Sequence, residues 1–102
     1  MATVIHQPRI AWDGARAFVR AAGSPYSEAF AAQVLSRLGS EAYGQFADTR
    51  LRLLNALVET DGDRYAADVE SGKWRVRLED LLRSRPELTE AVLALTNEGF
   101  EV

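Results

Sequence analysis

Apolar residues recur at intervals of three and four along most of this chain, the spacing that places them on one face of an α-helix. The first predicted helix covers residues 10–22 and ends at Gly23, a residue type that often follows the last helical turn. The second covers residues 25–38, begins at a Ser24 cap and ends at Gly39. The positions predicted to face inward are Trp12, Ala15, Phe18, Val19, Ala22, Tyr26, Phe30, Ala31, Val34, Leu35 and Leu38.

A third helix is predicted from a Ser40 cap to about Glu59, and it carries the longest apolar stripe. Gly44 lies near its start, where glycine costs about 1 kcal/mol relative to alanine. Gly44 is either a tolerated weak point or a position that lets a neighbouring helix approach closely. The stripe, predicted to face the core, consists of Tyr43, Phe46, Ala47, Leu51, Leu53, Leu54, Leu57 and Val58.

A polar, acidic segment at residues 59–63 interrupts the helical pattern and predicts a turn. Asp63 can cap a short helix over residues 64–70, and Ser71-Gly72 is predicted to end it. The inward positions of this short helix are Tyr65, Ala66 and Val69.

Residues 73–84 are predicted to form the next helix, because one tryptophan and three leucines fall on a single helical face. Residues 74–79 also alternate between apolar and charged, which is the pattern of a strand. The helix is favoured because Leu81 and Leu82 continue the helical period beyond Glu79. The shared face consists of Trp74, Leu78, Leu81 and Leu82.

Residues 84–87, Ser-Arg-Pro-Glu, have the form of a capping box, with serine at the cap and glutamate three positions later. They predict a last helix that ends at residues 97–99. Phe100 and Val102 then lie on a short tail, which either pairs as a strand with Val4-Ile5 or packs as a hydrophobic plug. The inward positions of the last helix are Leu88, Ala91, Val92 and Leu95.

Together these elements predict an all-α fold, a compact bundle of five to six short helices. A small strand pair formed by the two chain ends is an alternative that the sequence leaves open. Short connections favour antiparallel neighbours. The predicted organisation is an extended N-terminal arm over residues 1–9, a single helical domain over residues 10–98 and a C-terminal tail over residues 99–102. A chain of 102 residues is long enough to bury one core.

The composition is that of an ordinary globular domain, with 47% hydrophobic and 26% charged residues. The N-terminus lacks the apolar run of a signal peptide, and no segment approaches the ~20 apolar residues of a membrane span. A cytoplasmic location is therefore expected. The net charge of -3 argues against bulk binding of nucleic acid, which depends on neutralising phosphates.

Few residues offer catalytic or metal-binding chemistry. The chain has no cysteine, and its one histidine, His6, lies in the predicted arm without a positioned partner. The acidic run from Glu59 to Glu70 lacks the glycine at position six of a calcium loop, so it is interpreted as a solvated turn. No nucleophile elbow, phosphate-binding loop or dinucleotide fingerprint occurs. The sequence therefore predicts no catalytic residue, no cofactor and no metal site.

A basic cluster within thirteen positions is the main candidate for function. One interpretation is a solvated helix with local pairing, such as Arg75 with Glu79. The other is an electropositive surface that meets acidic residues of a partner or of a second copy. Trp74 is either a core residue, given its helical spacing, or an interface anchor, because Trp and Arg are enriched among interface hot spots. The candidate interaction residues are Lys73, Trp74, Arg75, Arg77, Arg83 and Arg85.

The stretch Trp74-x-x-Arg77-Leu78-x-x-Leu81-Leu82-x-x-x-Pro86-Glu87-Leu88-x-x-x-Val92-x-x-Leu95 resembles the C-terminal part of small helical proteins that are widespread in actinobacteria. The resemblance implies a small all-α module of the kind often encoded beside signalling, proteolytic or defence proteins. Many of those relatives carry an apolar N-terminal segment; this chain has amphipathic stretches there instead, so membrane association does not carry over. Six short helices also look like the death-fold adaptors of signalling assemblies, by analogy of architecture alone.

These observations predict a non-enzymatic protein–protein interaction module, an adaptor or regulator that uses the basic helical face. The expected partner is a protein, with self-association as one form of it, rather than nucleic acid, a membrane or a small molecule. The alternative is a small DNA-binding or transcription-regulatory helical domain, in which a helix such as residues 73–84 would lie against phosphates.

Overall fold

The computed structural model describes residues 7–60 and 64–101. These residues contain helices and turns but no strand, so the all-α class is confirmed. The helices are α1 (Gln7–Ala22), α2 (Ser27–Leu38), α3 (Ser40–Thr60), α4 (Tyr65–Ser84) and α5 (Thr89–Glu101), with one 3-10 turn (Pro86–Leu88) before α5. None of these helices combines the length and the apolar character needed to cross a bilayer.

The core forms around α1, which packs mainly against α4 and α5 and also contacts α3 and α2. Phe18 of α1 is buried at its centre, and its ring lies 5.3 Å from that of Phe30, 6.3 Å from that of Phe46 and 4.9 Å from that of Trp74, measured between centroids. Aromatic residues of four predicted helices therefore meet at one point, and Phe18, Phe30 and Phe46 are buried as predicted.

Gly99 permits the close crossing of α1 and α5. A Cβ at this position would lie 2.6 Å from the carbonyl oxygen of Ala17, so no larger residue fits without a shift of the backbone. The prediction that residues 97–99 end the last helix is therefore wrong, because this glycine serves packing and the helix continues to Glu101. Phe100 lies in α5 and forms no strand, while Val4, Ile5 and Val102 lie outside the described residues.

Residues 65–84 form one continuous helix, which contradicts the predicted break at Ser71-Gly72. Glu70 and Trp74, on either side of the glycine, are both buried on the same face of α4. The helix continues because this shared face packs against the core, and packing outweighs the weak helical preference of one glycine. The helical interpretation of residues 73–84 is confirmed, and the strand alternative is wrong.

The predicted capping box at residues 84–87 does not form. The Ser84 hydroxyl donates to the carbonyl oxygens of Asp80 and Leu81, at 2.9 and 3.3 Å, and so satisfies the last turn of α4. The next helix begins only at Thr89, whose hydroxyl donates to the carbonyl oxygen of Pro86 at 2.7 Å. At the other predicted cap, Ser24 accepts a bond from the Tyr26 amide within a turn, and α2 begins at Ser27.

Gly39 alone separates α2 from α3, with a φ of 100° that favours glycine. The tight connection turns α3 back along α2, where Arg50 contacts Glu28 at 3.8 Å. Toward the core, α3 buries Ala42, Phe46 and Thr49.

The stripe of α3 predicted to face the core is, for the most part, exposed. Leu51, Leu54 and Leu57 are 58%, 48% and 59% exposed, and Val58 is 85% exposed. Of the predicted stripe only Phe46 is buried, with Leu53 packed partly against the core. The prediction failed because α3 has two apolar faces centred about a third of a turn apart, and the core takes the one that contains Thr49.

Candidate functional site

The basic residues predicted to form one face point in different directions around α4. Successive residues of a helix turn by about 100°, which separates Lys73 from Arg75 by roughly 160°. Acidic neighbours also contact the cations. The nitrogen–oxygen distances are 3.3 Å for Lys73–Glu70, 4.0 Å for Arg75–Glu79, 3.0 Å for Arg83–Asp80 and 3.2 Å for Arg85–Glu87. The structure therefore does not bring Lys73, Arg75, Arg77, Arg83 and Arg85 together as one electropositive surface.

Trp74 belongs to the core and presents no surface to a partner. Its side chain is 1% exposed, and its indole Nε1 donates to Thr49 Oγ1 at 2.8 Å. The Arg77 guanidinium lies over the ring, 5.1 Å from its centroid, and its Nη1 is buried without a hydrogen-bond partner among the described residues. Trp74 is buried where it joins α4 to α3, and this contradicts its interpretation as an interface anchor.

A buried carboxylate next to Trp74 was missed by the sequence interpretation. Glu70 is 2% exposed and accepts hydrogen bonds from Thr49 Oγ1 at 3.0 Å, from Arg52 at 3.0 and 3.1 Å and from Lys73 Nζ at 3.3 Å. Burial acts to raise the pKa of Glu70, but the hydrogen bonds from Arg52 and Thr49 outweigh it and hold the pKa below its ordinary value. Two cations neutralise this carboxylate, which ties α3 to α4 and is not free to act as a base.

One polar cleft of about 370 Å³ lies between the start of α3 and the end of α4. Its polar lining mixes Glu41 and Asp80 with Arg77 and Arg85. Within residues 7–60 and 64–101, no three acidic or histidine side chains gather as metal ligands do. The cleft therefore shows charges of both signs without a cluster of one kind.

A second candidate site, larger than this cleft, is the exposed apolar face of α3. We call Tyr43, Ala47, Leu51, Leu54, Leu57 and Val58 the α3 face; apart from the spacing that marks them as apolar, nothing in the sequence distinguishes them from core residues. Each is exposed, and no described residue of the chain covers them. Monomeric proteins seldom leave so many large aliphatic side chains of one helix in water unless the patch binds something.

Two grooves border the α3 face. The first, about 530 Å³, runs between α2 and α3, with Ala31, Tyr43 and Ala47 in its lining and Arg50 paired with Glu28 at its rim. The second, about 800 Å³, runs between α3 and the helices α1 and α4. Its lining combines the charged residues Arg16, Arg20, Arg64 and Asp68 with apolar ones, which include Trp12, Val19, Leu53, Leu57 and Phe100. The apolar surface thus extends beyond one helix.

Trp12 forms a wall of the second groove and was predicted to face inward. It is partly exposed, with the guanidinium groups of Arg16 and Arg75 over its ring at 4.9 and 5.4 Å from the centroid. Such contacts let a large ring remain at the surface, since the cations are attracted to its π face.

Comparison with protein-family models, with curated proteins and with solved structures finds no match to this chain. A function for the domain therefore has to be inferred from its own surfaces.

Proposed function

We propose that the domain is a non-enzymatic protein–protein interaction module and that the α3 face is its working surface. The observation that carries this proposal is the exposure of Leu51, Leu54, Leu57 and Val58 along one side of a single helix. Fully burying an exposed aliphatic side chain of this size contributes about 1.5–3 kcal/mol, and these four, 48–85% exposed, retain roughly half or more of that gain. A partner that covers several of them gains enough to offset part of the cost of association.

The pairing of the basic residues supports a protein partner over DNA. Binding to phosphates needs cations that are available to displace counterions. Lys73, Arg83 and Arg85 each contact a carboxylate within 3.3 Å, and the whole chain carries a net charge of -3. We therefore expect weak, salt-sensitive binding to duplex DNA at most, which fluorescence anisotropy at low salt can measure.

Site-specific photo-crosslinking tests which surface binds. A photoreactive phenylalanine replaces Leu51 on the α3 face in one variant and Arg83, an exposed member of the basic cluster, in the other. In the organism of origin we expect a defined crosslinked product from position 51 only. That product should disappear when Val58→Asp is added, because the charge disrupts the same face.

A product from position 83 but not from position 51 would contradict the assignment of the α3 face. It would indicate instead that the basic cluster is the interaction surface. Defined products at neither position would argue against an interaction module. Circular dichroism of each variant serves as the control for folding.

A further inference from the structure

We infer that the α3 face binds a second copy of this chain, through two antiparallel α3 helices related by a two-fold axis near Leu51. This inference rests on the proposed function and names the partner. The starting observation is a seam of exposed residues whose intervals alternate between three and four without interruption. The seam consists of Gly44, Ala47, Leu51, Leu54 and Val58, and such a repeat is typical of helices that pack along one another.

Residue size is distributed unevenly along the seam. The first half has Gly44 and Ala47, and the second half has Leu54 and Val58. An antiparallel pair centred on Leu51 places Gly44 opposite Val58 and Ala47 opposite Leu54, so each small residue faces a large one. A parallel pair would leave small residues opposite each other and crowd the large ones, which packs less well.

Gly44 packs against none of the described residues in a way that requires a glycine. A Cβ added there would meet nothing within 4 Å, in contrast to Gly99, where it would collide with Ala17. The open space at Gly44, at the N-terminal end of the seam, suits the close approach of a helix from outside the described chain. Of the two alternatives for Gly44, close approach of a neighbouring helix is therefore the one this pairing requires, and the neighbour belongs to the second copy.

The groove between α2 and α3 runs along the seam from Tyr43 to Leu54 and so includes its small half. Ala31, Tyr43 and Ala47 line it, and the two-fold arrangement brings Leu54 of the second copy over this groove. Because the interface is isologous, the same contact forms twice. Small residues on one half of the seam leave room for the large side chains from the other half of the second copy, so the face is complementary to itself.

The extent and charge of the face also suit a second copy. The α3 face runs over residues 43–58, about 24 Å along the helix, and α2, with exposed Leu35, widens it to about 20 Å. A face of about 480 Å² in projection suits a small interface and a concentration-dependent dimer, since stable interfaces bury ~800 Å² per partner. The seam itself carries no charge; Arg50 on one side of it pairs with Glu28, and the exposed Asp48 lies on the other side.

Sedimentation velocity over a concentration series tests the pairing. We expect a monomer–dimer equilibrium that persists or strengthens at 1 M salt, since apolar association is not screened. Leu51→Asp should be monomeric, whereas Arg83→Asp, the matched control outside the face, should dimerise like the wild type. Both positions are exposed, and unchanged circular dichroism and thermal unfolding of Leu51→Asp would show that its fold is intact.

Cysteine crosslinking tests the orientation, because the chain has no native cysteine. Under mild oxidation, Leu51→Cys should crosslink to itself, and Gly44→Cys should crosslink with Val58→Cys in a mixture of the two. Efficient crosslinking of Val58→Cys with itself would overturn the antiparallel arrangement.

A wild type that stays monomeric at every concentration and salt would overturn the second copy as the occupant. The proposed function would survive that result if the photoreactive residue at position 51 still captured a different protein. Loss of both the dimer and that product would overturn the interaction module as well.

Discussion

The indole nitrogen of Trp74 donates a 2.8 Å hydrogen bond to the hydroxyl oxygen of Thr49, and the same hydroxyl donates to Glu70 at 3.0 Å. All three residues are buried. One threonine of α3 therefore satisfies a donor and an acceptor of α4, and the two helices are held in register by a polar contact inside the core.

Replacing Thr49 by valine should destabilise the domain. Valine has the same shape but leaves the Trp74 N–H without a partner and removes one donor from Glu70. A buried group left unsatisfied costs about 1–3 kcal/mol, so we expect a loss of that size in the free energy of unfolding, measured by urea denaturation. Thr49→Ser retains the hydroxyl and is the matched control. Equal stability of the two variants would show that the hydroxyl does not carry the effect.

Glu70 should make the domain sensitive to acid. Its pKa is lower in the folded chain than in the unfolded chain, so at acidic pH the unfolded state binds more protons. The stabilisation is fully present above the ordinary glutamate pKa and is lost as the pH falls through that value toward the folded one. Glu70→Gln should be less stable at pH 7 by about 1.5–3 kcal/mol, the scale of hydrogen bonds to a charged group.

The pH profile separates this effect from a general loss of packing. Between pH 7 and pH 3 the free energy of unfolding of the wild type should fall more steeply than that of Glu70→Gln. The exposed Glu90→Gln should keep the wild-type profile. Parallel profiles for the wild type and Glu70→Gln would rule out Glu70 as the titrating group.

Alanine substitutions at Gly99 and Gly72 should change the stability of the domain in opposite directions. A methyl group at Gly99 collides with the backbone and side chain of Ala17, so Gly99→Ala should destabilise the domain by about 1–3 kcal/mol through overpacking. At Gly72, in the interior of α4, an added Cβ meets no atom of the described residues within 4 Å. Gly72→Ala should therefore stabilise by up to about 1 kcal/mol, the difference in helix propensity. Thermal unfolding of both variants tests the pair, and a stabilising Gly99→Ala would contradict the close crossing.

These glycines show what the sequence leaves undetermined. Periodicity correctly predicted the helical class and central core residues such as Phe18, Phe30 and Leu78. A glycine in a helix, however, has the same local pattern whether it ends the helix, as was predicted at residue 72, or allows close packing, as at Gly99. The difference depends on which helix lies opposite, and that is a tertiary property.

Glu70 and the α3 face were misjudged for the same kind of reason. Glu70, Lys73 and Trp74 lie at helical spacing, but the predicted break at Ser71-Gly72 hid their common face. On α3, the apolar spacing of Leu51 and its neighbours indicates a face that avoids water without indicating what covers it. A polar residue, Thr49, marks the side that the core takes, because the tryptophan and glutamate of α4 need its hydroxyl.

Alanine substitutions at two leucines should distinguish the buried core from the exposed α3 face. Leu82 is fully buried among the core residues, so Leu82→Ala should cost about 2–5 kcal/mol in the free energy of unfolding. Leu54 is half exposed on the α3 face, and Leu54→Ala should cost less than about 1 kcal/mol when unfolding is measured at a concentration where the protein is monomeric. For dimerisation, measured at high concentration, the order of the two variants should be reversed. Leu54→Ala should weaken the dimer more than Leu82→Ala does, because it removes a side chain that faces Ala47 of the second copy. If Leu54→Ala cost as much as Leu82→Ala in the monomer, the α3 face would be part of the core, and the inferences built on its exposure would fail together.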